Sequence, residues 1–521
     1  MTRERLLLLG IAGVSVAARA FDITQPFVDD WSWRQSDVAM IAENFYHHGL
    51  NLFYPRINWA GAAPGYVGTE FPLVPLIAAL LYMMIGVQDW IGRAVSIAFF
   101  SASLPFLFLL VERVYGRRAA LLATAVYCAV PVSIFSARSF MPDTASLTFA
   151  IVAVWLFVRW LDEERRWLLA AAGLAAALAL LVKLAAVSIA IPMLALAMRK
   201  YGRRLLERVD LWTAAVTVVL LTCAWYLHGY RISLVYPPYH FFGSGWFGLA
   251  SANIYGSVFQ YIAMSGLTPF VVVLALGGLV LGRERAGGEV FHWWLLGAVI
   301  FVVPLARGYH AWYALAFVPP ASGLAGAALE HVQRRLTEAC GRRLGFGVIG
   351  LLFMVLIVLS WRTVSPLYTS VNETAYRAGM ALDRLSPRDA LVAVVDEGEP
   401  ATLYYSRRRG WHFRAYGGSQ EAIAELTVLK REGAHSLTLL RHTRWWLTHY
   451  PEFARYLAAH ARIIEDTSDY VIFALTDDRS SSNATDRPCA GAQERRQGGG
   501  VKGLRTTVPS TGPLCGLCSP T

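Results

Sequence analysis

Phe71-Pro-Leu-Val-Pro75-Leu-Ile-Ala-Ala-Leu80-Leu-Tyr-Met-Met-Ile85-Gly-Val87 is apolar almost throughout, and whether it crosses a membrane decides the topology of everything after it. Two prolines at its start delay the helix and leave it about one turn short of a comfortable span. Its neighbours are longer. Runs of about 18 or more apolar residues recur from Leu6 to Ser360, each able to cross a hydrocarbon core of about 30 Å. Backbone groups in lipid must be satisfied internally, so these runs are helices.

Composition agrees. Of 521 residues 56% are hydrophobic and 16% charged, against about 25% charged in soluble domains. The first run is read as a retained span and not a cleaved leader, because Arg19 and Phe21 lie where a small-residue cleavage site belongs. The formal charge of +11 sits largely in short loops. That is an orientation signal, and nucleic-acid binding is set aside.

Two kinds of loop alternate. Arg113-Val-Tyr-Gly-Arg-Arg118, Arg199-Lys-Tyr-Gly-Arg-Arg204, Arg334-Arg335 and Arg342-Arg343 are basic and belong inside, as does Met1-Thr-Arg-Glu-Arg5. If both Phe71–Val87 and Arg93–Val111 crossed, Arg113–Arg118 would fall outside. The first is therefore expected to be an interfacial helix. Every later loop then falls into place, with Asp29, Asp30, Asp143, Lys183, His240, Arg307 and His310 outside or at outer helix ends. The expected architecture is a polytopic α-helical membrane protein with about eleven transmembrane helices, amino terminus inside and carboxyl terminus outside.

Three segments follow. Residues 1–361 form the helical module, with a long first external loop over 21–92. Residues 362–476 read as a small extracytoplasmic α/β domain, with strands at Ala390–Val395, Thr402–Tyr405 and Tyr470–Ala474. Residues 477–521, rich in Ser, Gly, Pro and Arg, read as a disordered tail. Cys515-Gly-Leu-Cys518 stands alone in that tail and is taken as incidental, while Cys128, Cys223 and Cys340 pack as small hydrophobes.

The polar groups on the outer side are the candidate chemistry. Asp29-Asp30 precede an amphipathic surface helix over Asp37–Tyr46. Glu70 ends a glycine-rich turn, and Asp143 stands before an apolar helix, where it is placed to cap. Lys183 interrupts an apolar run, at about 2.5–3.5 kcal/mol by insertion scales. An anionic partner such as phosphate explains it better than snorkelling. Arg307-Gly-Tyr-His310-Ala-Trp-Tyr313 adds a guanidinium, an imidazole and a phenol, and Tyr236-Pro-Pro-Tyr239-His240 adds a further imidazole. Arginine suits phosphate by its planar fork.

With those residues placed, the chain resembles a C-type membrane glycosyltransferase. The likeness is to the family of protein O-mannosyltransferases and the lipid A aminoarabinose transferase, glycosyltransferase family 39-like, over Leu6 to about Trp361. It rests on the acidic first loop running into Ala39-Met-Ile-Ala-Glu-Asn-Phe45, on Glu70-Phe-Pro-Leu73, and on Tyr115-Gly-Arg-Arg118. Arg138, Asp143, Lys183, Tyr313 and Pro319-Pro320 complete it.

The resemblance implies a polyprenyl-phosphate sugar donor taken from membrane lipid, an extracytoplasmic acceptor, and inversion at the anomeric carbon. The enzyme would sit in a bacterial inner membrane with its site facing outside. An external carboxylate would be the base: Asp30 first, then Asp29, with Asp37 as the third candidate. Lys183, Arg307, Tyr313, His310 and Arg138 would bind the donor phosphate, where charge develops on leaving. Asp143 and Glu70 would position sugar or acceptor, and Glu70 with His240 would contact a divalent metal, as in some relatives. One departure stands out. Where relatives carry Asp-Glu at the start of the first surface helix, this chain has Arg34-Gln35.

Two other readings stay open. A transporter or flippase for a lipid-linked anion would show repeats and midplane polar groups; no repeat is found, and the polar groups gather at one face. A non-catalytic scaffold on the same fold is kept open by the missing Asp-Glu.

Overall fold

The computed structural model describes residues 3–242, 258–281, 289–305, 310–369 and 371–475. Arg307 and the tail with Cys515 and Cys518 lie outside the described residues.

Helices account for most of the chain: α1 (Arg3–Arg19), α2 (Ser32–His48), α3 (Leu73–Ile85), α4 (Asp89–Tyr115), α5 (Arg117–Ala129), α6 (Pro131–Arg138), α7 (Asp143–Glu163), α8 (Arg166–Val182), α9 (Ala190–Tyr201) and α10 (Val209–Val235). Four more apolar helices follow at Pro269–Leu281, Glu289–Leu305, Val318–Cys340 and Arg342–Val364. Among the described residues six helical stretches are long and apolar enough to cross a membrane, or eight if each of two bent pairs is one span. One bent pair is α5 with α6, turned by 63°, where Pro131 has no N–H to continue the ladder.

The stretch Phe71–Val87 contributes only α3, thirteen residues. At 1.5 Å per residue that is about 20 Å, well short of a membrane core. One side of α3 (Val74, Ala78, Tyr82) is buried, while Met83, Met84 and Ile85 are exposed.

The helix expected over Asp37–Tyr46 is longer, Ser32–His48, and it does not lie on a surface. Arg34 to Glu43 is buried on all sides, because α2 packs both on α3 and on the later helix Ala401–Ser406. Its polar residues therefore face other protein groups and not water.

The carboxyl-terminal segment carries five strands: β1 (Leu391–Val395), β2 (Arg409–His412), β3 (Ala434–Leu440), β4 (Ala461–Asp466) and β5 (Tyr470–Leu475). Their order is β2-β1-β3-β5-β4. β1 is parallel to β2 and β3, and β5 runs antiparallel to both β3 and β4.

Thr402–Tyr405 is not a strand but part of the helix Ala401–Ser406. Pro400 leads into it, and all six residues are buried. One helical turn lets the adjacent Tyr404 and Tyr405 hydroxyls reach the same carboxylate, Asp89, at 2.9 and 2.8 Å. A strand would point them to opposite faces. The loop between α2 and α3 docks on β2 through backbone: Gly410 N donates to Asn58 O (2.9 Å) and Gly61 N to Gly410 O (2.7 Å).

Candidate active site

Four charged side chains from four chain segments meet beside α2. Arg34 is on α2, Glu70 on the loop before α3, Asp143 begins α7, and Lys183 stands at the break after α8. Arg34 Nη2 donates to Glu70 Oε2 at 2.7 Å, and Lys183 Nζ donates to Glu70 Oε1 at 2.9 Å. Lys183 Nζ also lies 3.6 Å from Asp143 Oδ1. All four are buried, so Lys183 does not snorkel. Asp143 does not cap its helix either, since α7 has no side-chain cap bond.

Backbone contacts fix the Glu70 loop. Phe71 N donates to Leu181 O (2.9 Å), Gly68 N to His240 O (3.1 Å), and Trp225 Nε1 to Thr69 O (3.0 Å). Gly68 is required here, because a Cβ would stand 2.2 Å from Gly229 O. The break that frees Lys183 is stabilised by Ser146 Oγ, which donates to Ala179 O at 2.8 Å.

The electrostatics set the two loop and α2 carboxyls apart. Burial raises Glu70, but Arg34 and then Lys183 outweigh it and hold the carboxyl down at about 2. Asp37, three residues after Arg34 on α2, is pushed up to about 6 by burial, against the pull of Arg34 and a hydrogen bond from Trp59. Trp59 Nε1 donates to Asp37 Oδ1 at 3.0 Å. Asp37 Oδ2, Arg34 Nη1 and Asp143 Oδ2 are buried without a hydrogen-bond partner. Polar atoms left unpaired at that depth are costly.

A narrow cleft leads away from Lys183 and Asp143 between apolar side chains, among them Leu147, Ala150, Ala186, Trp312 and Leu315, with Tyr313 on its wall. On the other side of Arg34 a cavity of about 510 Å³ is lined by Asp30, Trp33, Tyr261, His310 and Trp312. There the His310 ring stacks on Trp312 at 4.4 Å and on Trp33 at 6.1 Å. Burial, then Lys183 and Arg34, lowers His310 to about 4, so it is neutral. Asp30 is exposed at this cavity and is raised by burial and by Asp29.

Asp29 is elsewhere. Arg93 and Arg138 each approach its Oδ2 at 3.3 Å, and Gln35 Nε2 and Trp31 N donate to its Oδ1 at 2.7 and 3.0 Å. Asp29 and Arg138 are both 0% exposed. The structure thus brings Glu70, Asp143, Lys183 and Tyr313 together, puts Asp30 and His310 in the adjoining cavity, and engages Asp29 with Arg93 and Arg138 in buried ion pairs.

Residues 69–228 match the family model for dolichyl-phosphate-mannose-protein mannosyltransferase. Among solved structures, ArnT from Cupriavidus metallidurans in the apo state superposes with a TM-score of 0.68 at 14% identity, covering 91% of this chain and 98% of that one. ArnT bound to undecaprenyl phosphate gives 0.66 at 12% identity over 92% and 99%. The Archaeoglobus fulgidus oligosaccharyltransferase AglB, in complex with an inhibitory peptide and a dolichol-phosphate, gives 0.58 at 10% identity over 91% and 75%. The chain has a C-type glycosyltransferase fold. No curated protein matches it by sequence.

Within this C-type fold Glu70, Asp143 and Lys183 fall inside the family-matched residues, whereas Arg34 and Asp37 precede them. Glu70 and His240 are each engaged with protein groups in this structure. Both Glu70 oxygens already accept from cations, and His240 packs its ring against Trp59 and Phe242. Among the described residues no group of three candidate metal ligands occurs.

Sequence reasoning overlooked Arg34, treating it only as a departure. The available signal was its spacing of three from Asp37, which puts both on one helix face. It also overlooked Asp396 and His412, at the ends of β1 and β2. Their side chains pair at 2.8 Å, and His412 packs its ring 5.3 Å from that of Trp59.

Proposed function

We propose that the protein transfers a sugar from a polyprenyl-phosphate-linked donor to an acceptor hydroxyl, with inversion, at a site on the extracytoplasmic face. The observation that carries this reading is the buried cation Lys183, which shares Glu70 with the buried Arg34 and stands on the wall of a narrow, largely apolar cleft. An amphiphile with an anionic head and a hydrocarbon tail has that shape. The undecaprenyl phosphate and dolichol-phosphate held by ArnT and AglB belong to the same chemical class.

On this reading the donor phosphate takes the free Arg34 Nη1 and displaces Lys183 from its longer contact with Asp143, leaving Glu70 in place. Negative charge grows on that phosphate as the glycosidic bond breaks, and two fixed cations in a dry site stabilise it. Asp37 is the base. Its free Oδ2 and its value near 6 suit proton removal at neutral pH. Asp30, exposed in the aromatic cavity, is placed to hold an acceptor or sugar hydroxyl. Asp29, with both oxygens engaged, is a structural anion. Reading α1, α8 and Glu289–Val303 as spans beside the eight, with α3 at the interface, gives eleven, and the charge rule then sets the amino terminus inside.

Purified full-length protein given radiolabelled polyprenyl-phosphate sugars and membrane acceptors tests this. Asp37→Asn should abolish transfer while donor still binds, and Lys183→Ala should weaken donor binding. Full transfer by Asp37→Asn would remove Asp37 as the base. Donor binding unchanged in Lys183→Ala would remove the phosphate assignment.

A further inference from the structure

A second polar cavity, of about 790 Å³, opens where the carboxyl end of α2 meets the strand-bearing segment. Three separated chain segments bring basic side chains to it. His47 and His48 end α2, Arg388 follows the helix Glu373–Leu385, and Arg407 and Arg409 stand before and at the start of β2. All five are exposed.

Acids on the wall answer only part of that charge. Asp383 is engaged by the buried Arg408 at 2.9 Å and by Arg407 at 3.7 Å, and Glu43 by His47 at 3.7 Å. Asp389 also lines the cavity. Arg388 and Arg409 have no carboxylate partner among the described residues. Burial, and then the charges of Arg56, His47 and Arg409, lower His48. A solvated basic face would spread such groups apart. Here they converge on a concavity, and planar guanidinium forks are suited to phosphate.

The cavity is tied to both the apolar edge and the candidate base. Val87 on its wall lies just past the end of α3, whose Met83, Met84 and Ile85 are exposed. On the other side Asn44 Nδ2 donates to Asn58 Oδ1 at 2.9 Å, and the next residue, Trp59, donates to Asp37. Asp37 and His47 are ten residues apart on one helix, or about 15 Å.

We propose that this cavity binds the phosphate of an amphiphilic acceptor, anchoring its headgroup about 15 Å from the hydroxyl that is glycosylated. The acceptor role rests on the transferase reading above. The binding itself does not, and it is measured without donor.

Full-length protein in phosphatidylcholine nanodiscs is titrated with dihexanoyl phosphatidic acid, dihexanoyl phosphatidylcholine and inorganic phosphate, with binding read by the shift in Tm. Phosphatidic acid should bind and phosphatidylcholine should not. Arg388→Gln and Arg409→Gln singly should each weaken binding severalfold, and together with Arg407→Gln at least tenfold, while Arg431→Gln, an exposed control, changes nothing. Lys183→Ala, which removes a cation of the donor site, should leave the arginine-dependent part of the binding unchanged. Binding lost in Lys183→Ala, or kept in the triple variant, would place the anion elsewhere and overturn the proposal. Arginine-dependent binding of inorganic phosphate as tight as that of phosphatidic acid would overturn the amphiphile. Transfer failing in every assay while this binding persists would sink the transferase reading alone.

Discussion

Arg34 Nη2 and Glu70 Oε2 stand 2.7 Å apart, both side chains about 5% exposed, joining the first turn of α2 to the loop before α3. The pair makes Glu70 a permanent anion, and that anion in turn holds Lys183. Arg34→Gln should therefore do two kinds of damage: loss of a phosphate donor, and release of Lys183 geometry. A loss of transfer on the order of 10²–10³-fold is expected, with Arg34→Lys intermediate because charge remains and the fork is lost. Rates equal to wild type in both variants would show that Arg34 only packs.

The same cluster makes a pH prediction for Asp37. Its carboxyl is held near 6 by burial, so the basic form needed for proton removal appears as pH rises through about 6. Transfer should climb across pH 5 to 7 and level off, and Asp37→Glu should move that limb if it retains activity. A profile flat down to pH 5 would argue for another base.

How much of this was legible in the sequence depends on where polar groups interrupt apolar periodicity. Lys183, Asp143 and Glu70 could be found because each breaks an apolar run or heads one, and in lipid such a residue has to have a reason. The short proline-led α3 was legible for the same kind of reason, a length set by the chain itself. The partners were not. That Glu70 meets Arg34 and Lys183, or that Asp29 meets Arg93 and Arg138, depends on tertiary placement over separations of 36, 113, 64 and 109 residues. The burial of α2 was also out of reach, since its second cover, Ala401–Ser406, comes from a segment whose aromatic residues suggested a strand. Strands β2, β3 and β4 mix Arg, His, Ser and Glu among their apolar positions, so no clean alternation marked them.

Asp29 separates structure from chemistry. Removing its charge leaves two buried guanidiniums, Arg93 and Arg138, facing each other without their shared anion. Asp29→Asn should destabilise the protein by about 3–5 kcal/mol, as expected when one partner of a buried ion pair is lost. Folded protein that survives should still transfer sugar. A large fall in turnover with unchanged Tm would instead return Asp29 to the list of bases.

Glu399 gives the sharpest stability test, because its carboxyl is pushed up to about 8 by burial, against a hydrogen bond from Ser32. It accepts from Ser32 Oγ at 2.9 Å and from Asn372 Nδ2 at 3.0 Å, tying the strand-bearing segment to the start of α2. An unfolded glutamate titrates near 4.3, so between there and about 8 the folded state binds the extra proton. Stability then falls as pH rises through that window, by up to about 1.4 kcal/mol per unit. Asp37 has the same sign, but its window closes near 6, below the range from pH 6.5 to 8.5 in which Glu399 acts. Glu70 has the opposite sign and contributes nothing to the slope there, since its stabilisation is lost only as pH falls toward 2. Glu399→Gln is neutral at every pH and keeps an oxygen for Ser32. Its Tm should stay level from pH 6.5 to 8.5 while that of wild type declines, and parallel declines in the two proteins would show that Glu399 is already ionised when folded.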